Sequence, residues 1–374
     1  GQYRAALEEN DLGIASEVRM LAEASELGLL TIGFCFNLPE ARRNEVLSKL
    51  AQGVDDLSIS RSTLDWGIEM PNDPEHRVYV WIDALSNYIT ALGFPAVGDA
   101  DDGARMKYWP ANVQLIGKDI LWFHTVYWPC MLMALDVELP QTVFAHGWWT
   151  SEGKKMSKSL GNFISREVIA ELCEEYSRDV FRYFVLREVP FGLDGDFSRE
   201  ALKRRYNAEL ANDVGNLLSR TVNMVERYFD GVVPAPAEQA LTGQEAEFMA
   251  DPLTRLQDGA EEIMAGCQFS EYVRAALDLV TAANRYIDTT EPFKLAKDPA
   301  QRDRVGTILY TCAETVRIVL SALAPIMPEK TEAGLKQLGL AGADPRPLHE
   351  VFRWGGLAPG TQVAKAGPLF PRKQ

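Results

Sequence analysis

An α/β segment followed by an α-helical bundle is the fold class that this sequence predicts, and three observations carry the prediction. From Val78 to about Tyr183, short apolar runs alternate with amphipathic stretches. Beyond Phe197 the apolar residues recur at three- and four-residue intervals instead. Proline clusters then punctuate that second pattern, as they do between helices.

The elements follow in order. Val78-Tyr79-Val80-Trp81 reads as a strand leading into a helix through Tyr88, and Val113-Gln114-Leu115-Ile116 as a second strand leading into a helix through Met133. Thr142 to Trp149 reads as a buried strand. Strands separated by helices imply parallel pairing. Gly117-Lys118-Asp119 closes one strand and opens a helix, with Asp119 placed as its N-cap. Ligands in such sheets collect at the carboxyl ends of strands, where this turn and the loop between Gly153 and Gly161 are expected to lie.

Leu210, Val214, Leu217, Leu218, Val222, Val225 and Phe229 form one helical stripe, and Leu309, Cys312, Ala313, Val316, Val319, Leu320 and Leu323 form another. Pro234-Ala235-Pro236 and Pro325 through Pro328 interrupt them, giving a bundle of about four or five helices. The last thirty residues, rich in proline and glycine, read as a tail able to lie back on the body. The expected divisions are 1–195, 196–345 and 346–374.

Composition narrows the function. With 374 residues, 47% apolar, the chain exceeds a single small module. Its 53 acidic and 38 basic residues leave a net charge of -15, which opposes indiscriminate adhesion to polyphosphates or anionic lipid. Any contact with nucleic acid is therefore local and shaped. Five scattered cysteines without a C-x-x-C pair give neither a disulfide framework nor a zinc knuckle, and point to a reducing cytosol. The apolar run from Ile120 to Leu135 contains His124 and Pro129 and falls short of the roughly 20 residues a membrane span needs. The opening residues, with Arg4, Glu8, Glu9 and Asp11, fit neither a signal nor a transit peptide, and a start at Gly1 reads as a start in mid-protein.

The most informative segment is Lys155-Met156-Ser157-Lys158-Ser159. Two lysines and two serines between glycines can wrap a triphosphate, placing positive charge and hydroxyl donors where negative charge builds as pyrophosphate leaves. A solvated basic turn is the plainer alternative.

In Asp56-Leu57-Ser58-Ile59-Ser60-Arg61, Tyr79-Val80-Trp81-Ile82-Asp83-Ala84 with Asn87-Tyr88, Ile116-Gly117-Lys118-Asp119-Ile120 and Phe123-His124 with Tyr127-Trp128-Pro129, the chain resembles the class I aminoacyl-tRNA synthetases, specifically the methionyl-tRNA synthetase family. The 155–159 segment, Asn207-Ala208-Glu209-Leu210-Ala211-Asn212 and Gly215-Asn216-Leu217 extend the likeness, which covers roughly Arg42 to Pro328 in the family's order. The departures are equally clear. The family's His-Ile-Gly-His signature is absent, since none of His76, His124, His146 and His349 begins it. The methionine-site segment near that signature and the zinc-bearing part of the connective insertion are absent too. Residues 1 to about 37 do not match what the family places before Arg42.

The resemblance implies the second part of a Rossmann-type catalytic domain, with a connective remnant and the lysine loop, followed by an anticodon-binding bundle. It implies that Trp81, Ala84, Tyr88, His124 and Trp128 line a methionine pocket. Methionine is apolar and polarizable, so aromatic rings rather than charges suit it. Without that context these aromatics at helical spacing would read as core. Gly117 and Asp119 are implied in binding ATP, through close backbone approach and ribose hydroxyls, with backbone near Trp149 at the adenine edge. Asp119 as an ordinary cap and Arg61 as a surface ion pair with Asp55 or Asp56 stand as the alternatives.

Arg61, Lys155 and Lys158 are implied in catalysis, with Lys158 foremost at ATP. The methionine carboxylate would attack the α phosphorus in line, a step carried by positioning and charge rather than by an acid or base. Asn216, Arg220 and Phe293 are implied in reading the CAU anticodon by stacking and base-edge hydrogen bonds, with Phe293 where the family commonly carries tryptophan. Arg178, Arg182, Lys203, Arg204 and Arg205 are candidates for the acceptor-stem backbone.

The expected function is thus a methionine–tRNA ligase using ATP with Mg2+ as the substrate complex, with methionine and tRNA(Met) as partners and no metal site in this chain. It is expected to be cytoplasmic, monomeric, without a membrane partner, and weak or inactive as this chain alone. The alternatives are a non-catalytic tRNA-binding module and a class I synthetase for another aliphatic amino acid or cysteine. The aromatic cluster, and the lack of zinc cysteines and of an editing insert between Arg61 and Lys155, weigh against the latter.

Overall fold

The computed structural model describes residues 40–53, 57–95, 101–156, 162–237, 244–342 and 346–374. Packing divides the chain into two compact units, one ending at Trp148 and the other beginning at Trp149. This division falls elsewhere than the 195/196 boundary read from the change of periodicity, because the strands after Trp148 share one core with the helices that follow.

The first unit opens with α1 (Glu40–Leu50), which buries Val46 and Leu50. Strands β1 (Ser60–Arg61), β2 (Glu69–Met70) and β3 (Asp73–Val78) form an antiparallel sheet in the order β1-β3-β2. The sequence expectation of a strand through Trp81 in a parallel arrangement is corrected here. β3 stops at Val78 and pairs antiparallel with both neighbours, while Val80 already opens helix α2 (Val80–Thr90), with Leu85 and Ile89 facing inward. A short apolar run does not by itself tell strand from helix, and a tight connection from Met70 to Asp73 leaves no room for a parallel crossover.

Parallel pairing does hold between β4 (Gln114–Gly117) and β5 (Val143–His146), in the register Gln114↔Val143 to Gly117↔His146. A composite helix joins them. It starts as a 3-10 turn (Lys118–Ile120), widens to a π-helix (Phe123–Tyr127), and ends as α3 (Trp128–Ala134). Pro129 lacks an N–H and its ring crowds the preceding turn, which suits a widened segment just before it. Side chains occupy backbone acceptors in this stretch: His124 Nδ1 lies 3.0 Å from the Ile120 carbonyl, and Thr125 donates to Leu121 at 2.8 Å. The expected single strand from Thr142 to Trp149 is split between the two units.

In the second unit, β6 (Trp149–Ser151) lies between β7 (Lys154–Lys155), antiparallel, and β8 (Gly195–Phe197), parallel. The crossover to β8 is made by α4 (Arg166–Tyr176) and α5 (Arg178–Glu188), each with a serine N-cap, Ser165 and Ser177. Ser198 caps α6 (Arg199–Arg205), which continues as a π-helix (Tyr206–Gly215) and then as α7 (Asn216–Phe229). Helices α8 (Gln244–Ala265), α9 (Phe269–Thr290), the short α10 (Pro292–Leu295), α11 (Arg302–Leu323) and α12 (Pro328–Gln337) complete the bundle, and α13 (Leu348–Val351) opens the tail.

Helix α11 is long and apolar enough to cross a membrane, yet its apolar window is wholly buried in protein, as befits the axis of a bundle. Two charges sit inside it. Arg317 donates to both Glu314 carboxylate oxygens at 2.7 and 2.9 Å, and the amides of Gly355, Gly356 and Leu357 each donate to the same carboxylate at 2.8 Å. Arg317 also reaches the carbonyls of Val351 and Arg353. The tail therefore lies on its own unit through a saturated ionic knot. It ends equally well held: Tyr206 donates to Pro371 at 2.7 Å, and the Asn207 carboxamide exchanges two 2.9 Å hydrogen bonds with the Lys373 backbone.

Candidate functional site

Trp81, Ala84 and Tyr88 are spaced three and four apart on α2 and so share a face, which the small Ala84 leaves open between the two rings. The composite helix brings His124 and Trp128 against it. Tyr88 Oη lies 3.0 Å from His124 Nε2, with the rings edge to face at 5.7 Å. Trp81 meets the His124 edge at 6.1 Å and stacks on Phe123 at 4.0 Å, and Tyr88 lies 5.9 Å from Trp128. All five residues expected to line the methionine pocket thus belong to one cluster within the first unit.

The hydrogen bonds fix the tautomer of His124. A carbonyl only accepts, so Nδ1 carries the proton that Ile120 receives, and Nε2 accepts from the Tyr88 hydroxyl. Burial lowers the His124 pKa, against the opposing pull of the Ile120 carbonyl, so the ring is neutral at pH 7. Burial likewise raises that of Tyr88. Trp128 is fully buried, and its indole N–H has no partner among the described residues. The cluster is uncharged, aromatic and open at Tyr88 and Ala84, an environment suited to a thioether, where each sulfur–ring contact is worth about 0.3–1.5 kcal/mol.

Beside it, Gly117 is the cap residue of the 3-10 turn and Asp119 lies within that turn, with no side-chain cap bond. The expectation of Asp119 as N-cap is therefore corrected: its Oδ1 lies 3.5 Å from the Trp148 indole nitrogen and would be 2.6 Å from a Cβ at position 117. Only glycine allows that approach. Arg61 donates to the carbonyls of Ser58 and Ser60, and its guanidinium lies 3.6 Å from the Tyr79 ring centre. Asp55 and Asp56, its alternative partners, lie outside the described residues.

In the second unit the lysine segment begins on a hairpin. Ser151 and Lys154 pair across Glu152 and Gly153, whose φ angles of 50° and 73° make a type I′ turn. Gly153 is thus a turn glycine. Lys155 lies in β7, opposite Thr150; Ser157, Lys158, Ser159 and Gly161 lie outside the described residues. Trp149, in β6, pairs with Gly195 and tilts against Phe184 at 6.2 Å. Sequence reasoning passed over Asp196, whose carboxylate accepts from Thr150 and from the Gly153 amide. Its partners are more than forty positions upstream, and no motif marks it.

Asn216 is exposed at the start of α7, and Arg220, one turn on, pairs with Asp288 near the end of α9 at 2.7 Å. Phe293 follows on α10, 42% exposed. Asn212, Asn216 and Ser219 line one side of a cleft of about 380 Å³ whose other side includes Pro368 and Phe370 of the tail. Among the basic candidates, Arg182 is engaged with the Pro325 and Ile326 carbonyls and Arg205 with Glu188 and Glu209. Arg178 and Arg204 are exposed.

Comparison with known proteins gives a consistent result. The family described as class I tRNA synthetases (M) matches residues 35–222. A methionine–tRNA ligase of Caldanaerobacter subterraneus subsp. tengcongensis is 49% identical over 337 residues, covering 90% of this chain and 51% of that protein. One of Clostridium tetani is 44% identical over 340 residues, covering 90% and 51%. The Mycobacterium tuberculosis methionyl-tRNA synthetase in complex with methionyl-adenylate matches at a TM-score of 0.81 and 40% identity, covering 96% of this chain and 68% of that one. The chain spans about half the length of the curated relatives it matches.

Proposed function

The chain belongs to the methionyl-tRNA synthetase family of class I tRNA synthetases, and on that premise we propose that it carries the amino-acid pocket, lysine loop and anticodon-reading bundle of a methionine–tRNA ligase. The observation that carries the proposal is the neutral aromatic cluster around the Tyr88–His124 hydrogen bond. Methionine enters it side chain first, between Trp81, Ala84, Tyr88, His124 and Trp128. Gly117, Asp119 and backbone near Trp149 hold the nucleotide of Mg2+-ATP, which is bound as substrate.

Arg61, Lys155 and Lys158 offset charge on carboxylate and phosphate oxygens as the methionine carboxylate attacks the α phosphorus and pyrophosphate leaves. The acyl group then passes from methionyl-adenylate to the terminal adenosine of tRNA(Met). Asn216, Arg220 and Phe293 read the anticodon, using the segment from 196 to 345 as their platform. The setting is a cytoplasmic monomer. A non-catalytic tRNA-binding module is the second reading, favoured by the self-contained packing of the helical unit.

Thermal stability measured with methionine, leucine, isoleucine, valine and cysteine in turn tests the pocket. A shift of several degrees with methionine alone is expected, and a larger shift with a branched amino acid overturns the assignment. With the His-Ile-Gly-His half absent, ATP–pyrophosphate exchange by this chain alone is expected to be negligible; robust exchange would refute the need for that half. CAU-dependent tRNA binding that Lys158→Ala leaves intact, without methionine binding, would favour the second reading.

A further inference from the structure

Asp196 stands at the centre of β8, within the 35–222 span that matches the family but outside the short motifs that carry the resemblance. Its Oδ1 accepts two hydrogen bonds from the adjoining hairpin, from Thr150 Oγ1 at 2.6 Å and from the Gly153 amide at 2.7 Å. These donors lie on the two sides of Glu152, the first central residue of the turn. Lys155, the first residue of the lysine segment, sits in register with Thr150, so the pose of this hairpin sets where Lys155 stands.

We infer that Asp196 is a positioning residue: acting through Thr150 and Gly153, it fixes the hairpin from which the lysine segment starts, and thereby sets how the ATP triphosphate is met. Asp196 touches no substrate. Its action is geometric, since the carboxylate is exposed and its charge is screened. The inference rests on the proposed function of the lysine segment, and it adds a residue that neither spacing nor resemblance assigns. A plain structural staple would alter stability without discriminating between the two substrates.

The test is methionine-dependent ATP–pyrophosphate exchange by the whole protein as it occurs. Asp196→Ala is expected to raise the KM for ATP about tenfold while leaving the KM for methionine unchanged. Asp196→Asn, whose amide oxygen still accepts from both donors, should stay within about threefold of the parent, and Thr150→Val should fall between them. An Asp196→Ala protein with an unaltered KM for ATP, beside a Lys158→Ala protein that has lost exchange, overturns the inference and leaves the proposed function standing. Exchange unaffected by Lys158→Ala overturns that function and the inference with it. Should Asp196→Ala not fold, Thr150→Val decides alone, and an unaltered KM for ATP there overturns the inference.

Discussion

Glu314 and Gln114 are both buried polar side chains, 0% and 5% exposed, one in each unit. Glu314 receives Arg317 and three backbone amides. Neither the oxygen nor the nitrogen of the Gln114 carboxamide has a partner among the described residues. The contrast extends outward. Nine of the large apolar side chains that stand exposed among the described residues belong to the first unit, Trp66, Ile68 and Leu115 among them, against four in the second. Leu115 lies on a parallel strand, a setting normally covered on both faces. The helical unit covers its apolar side chains more fully and saturates its buried charge pair, although Thr221 Oγ1, Asn284 Oδ1 and the Trp354 indole nitrogen lack partners among the described residues there too.

Breaking the knot at Glu314 should give the largest effect. Glu314→Ala strands the Arg317 guanidinium and three amides in the interior, and a loss of about 3–5 kcal/mol is expected in urea unfolding. Hydrogen exchange should locate that loss in the helical unit. A loss under about 1 kcal/mol would mean that the knot contributes little beyond packing.

In the interval between pH 6.5 and the lower folded pKa of His124, mild acid should act on the other unit. His124 has a folded pKa below its ordinary 6.5, so its contribution is fully present above 6.5 and is lost as pH falls through the lower folded value, because the unfolded chain takes up the proton first. The melting temperature of the first unit should therefore fall below pH 6.5, and His124→Gln should flatten that part of the profile. An unchanged slope in the variant would place the titrating group elsewhere.

The smallest effect sharpens the contrast from the opposite side. Gln114→Leu removes two unpartnered polar atoms and should be neutral or stabilising by up to about 1 kcal/mol. A marked loss of stability, read by thermal unfolding, would reveal a partner for the carboxamide and narrow the difference between the units.

Much of this was legible in the sequence for physical reasons that can be stated. The three- and four-residue spacing of Leu210 through Phe229 and of Leu309 through Leu323 matches helices that bury one face or all faces in a common core. The parallel β4–β5 pair followed from strands separated by a helix. Trp81, Tyr88, His124 and Trp128 gather because helical spacing sets both stripes, though their meeting depends on tertiary packing that resemblance, not periodicity, anticipated. The end of β3 at Val78 was not legible, since Val80, Trp81 and Ile82 suit either element. Nor was Asp196, whose donors are distant in sequence. The Glu314–Arg317 pair did leave a signal: two charges three apart in the otherwise uncharged stretch from Val305 to Leu323 call for each other and for further donors.

The π-helical stretch from Tyr206 to Gly215 has a genetic consequence. A π turn holds about one residue more than an α turn, so deletion of a single codon there could be absorbed by rewinding rather than by unfolding. Rewinding uses up the extra residue, so the flanks would keep nearly their present facing, whereas the same deletion in the purely α-helical α7 would rotate one flank against the other by about 100°. Asn207 would then keep its hold on the end of the tail, as Asn216 and Arg220 would keep their mutual spacing. Single-codon deletions in the π stretch should therefore leave the terminus resistant to protease trimming, and those in α7 should not.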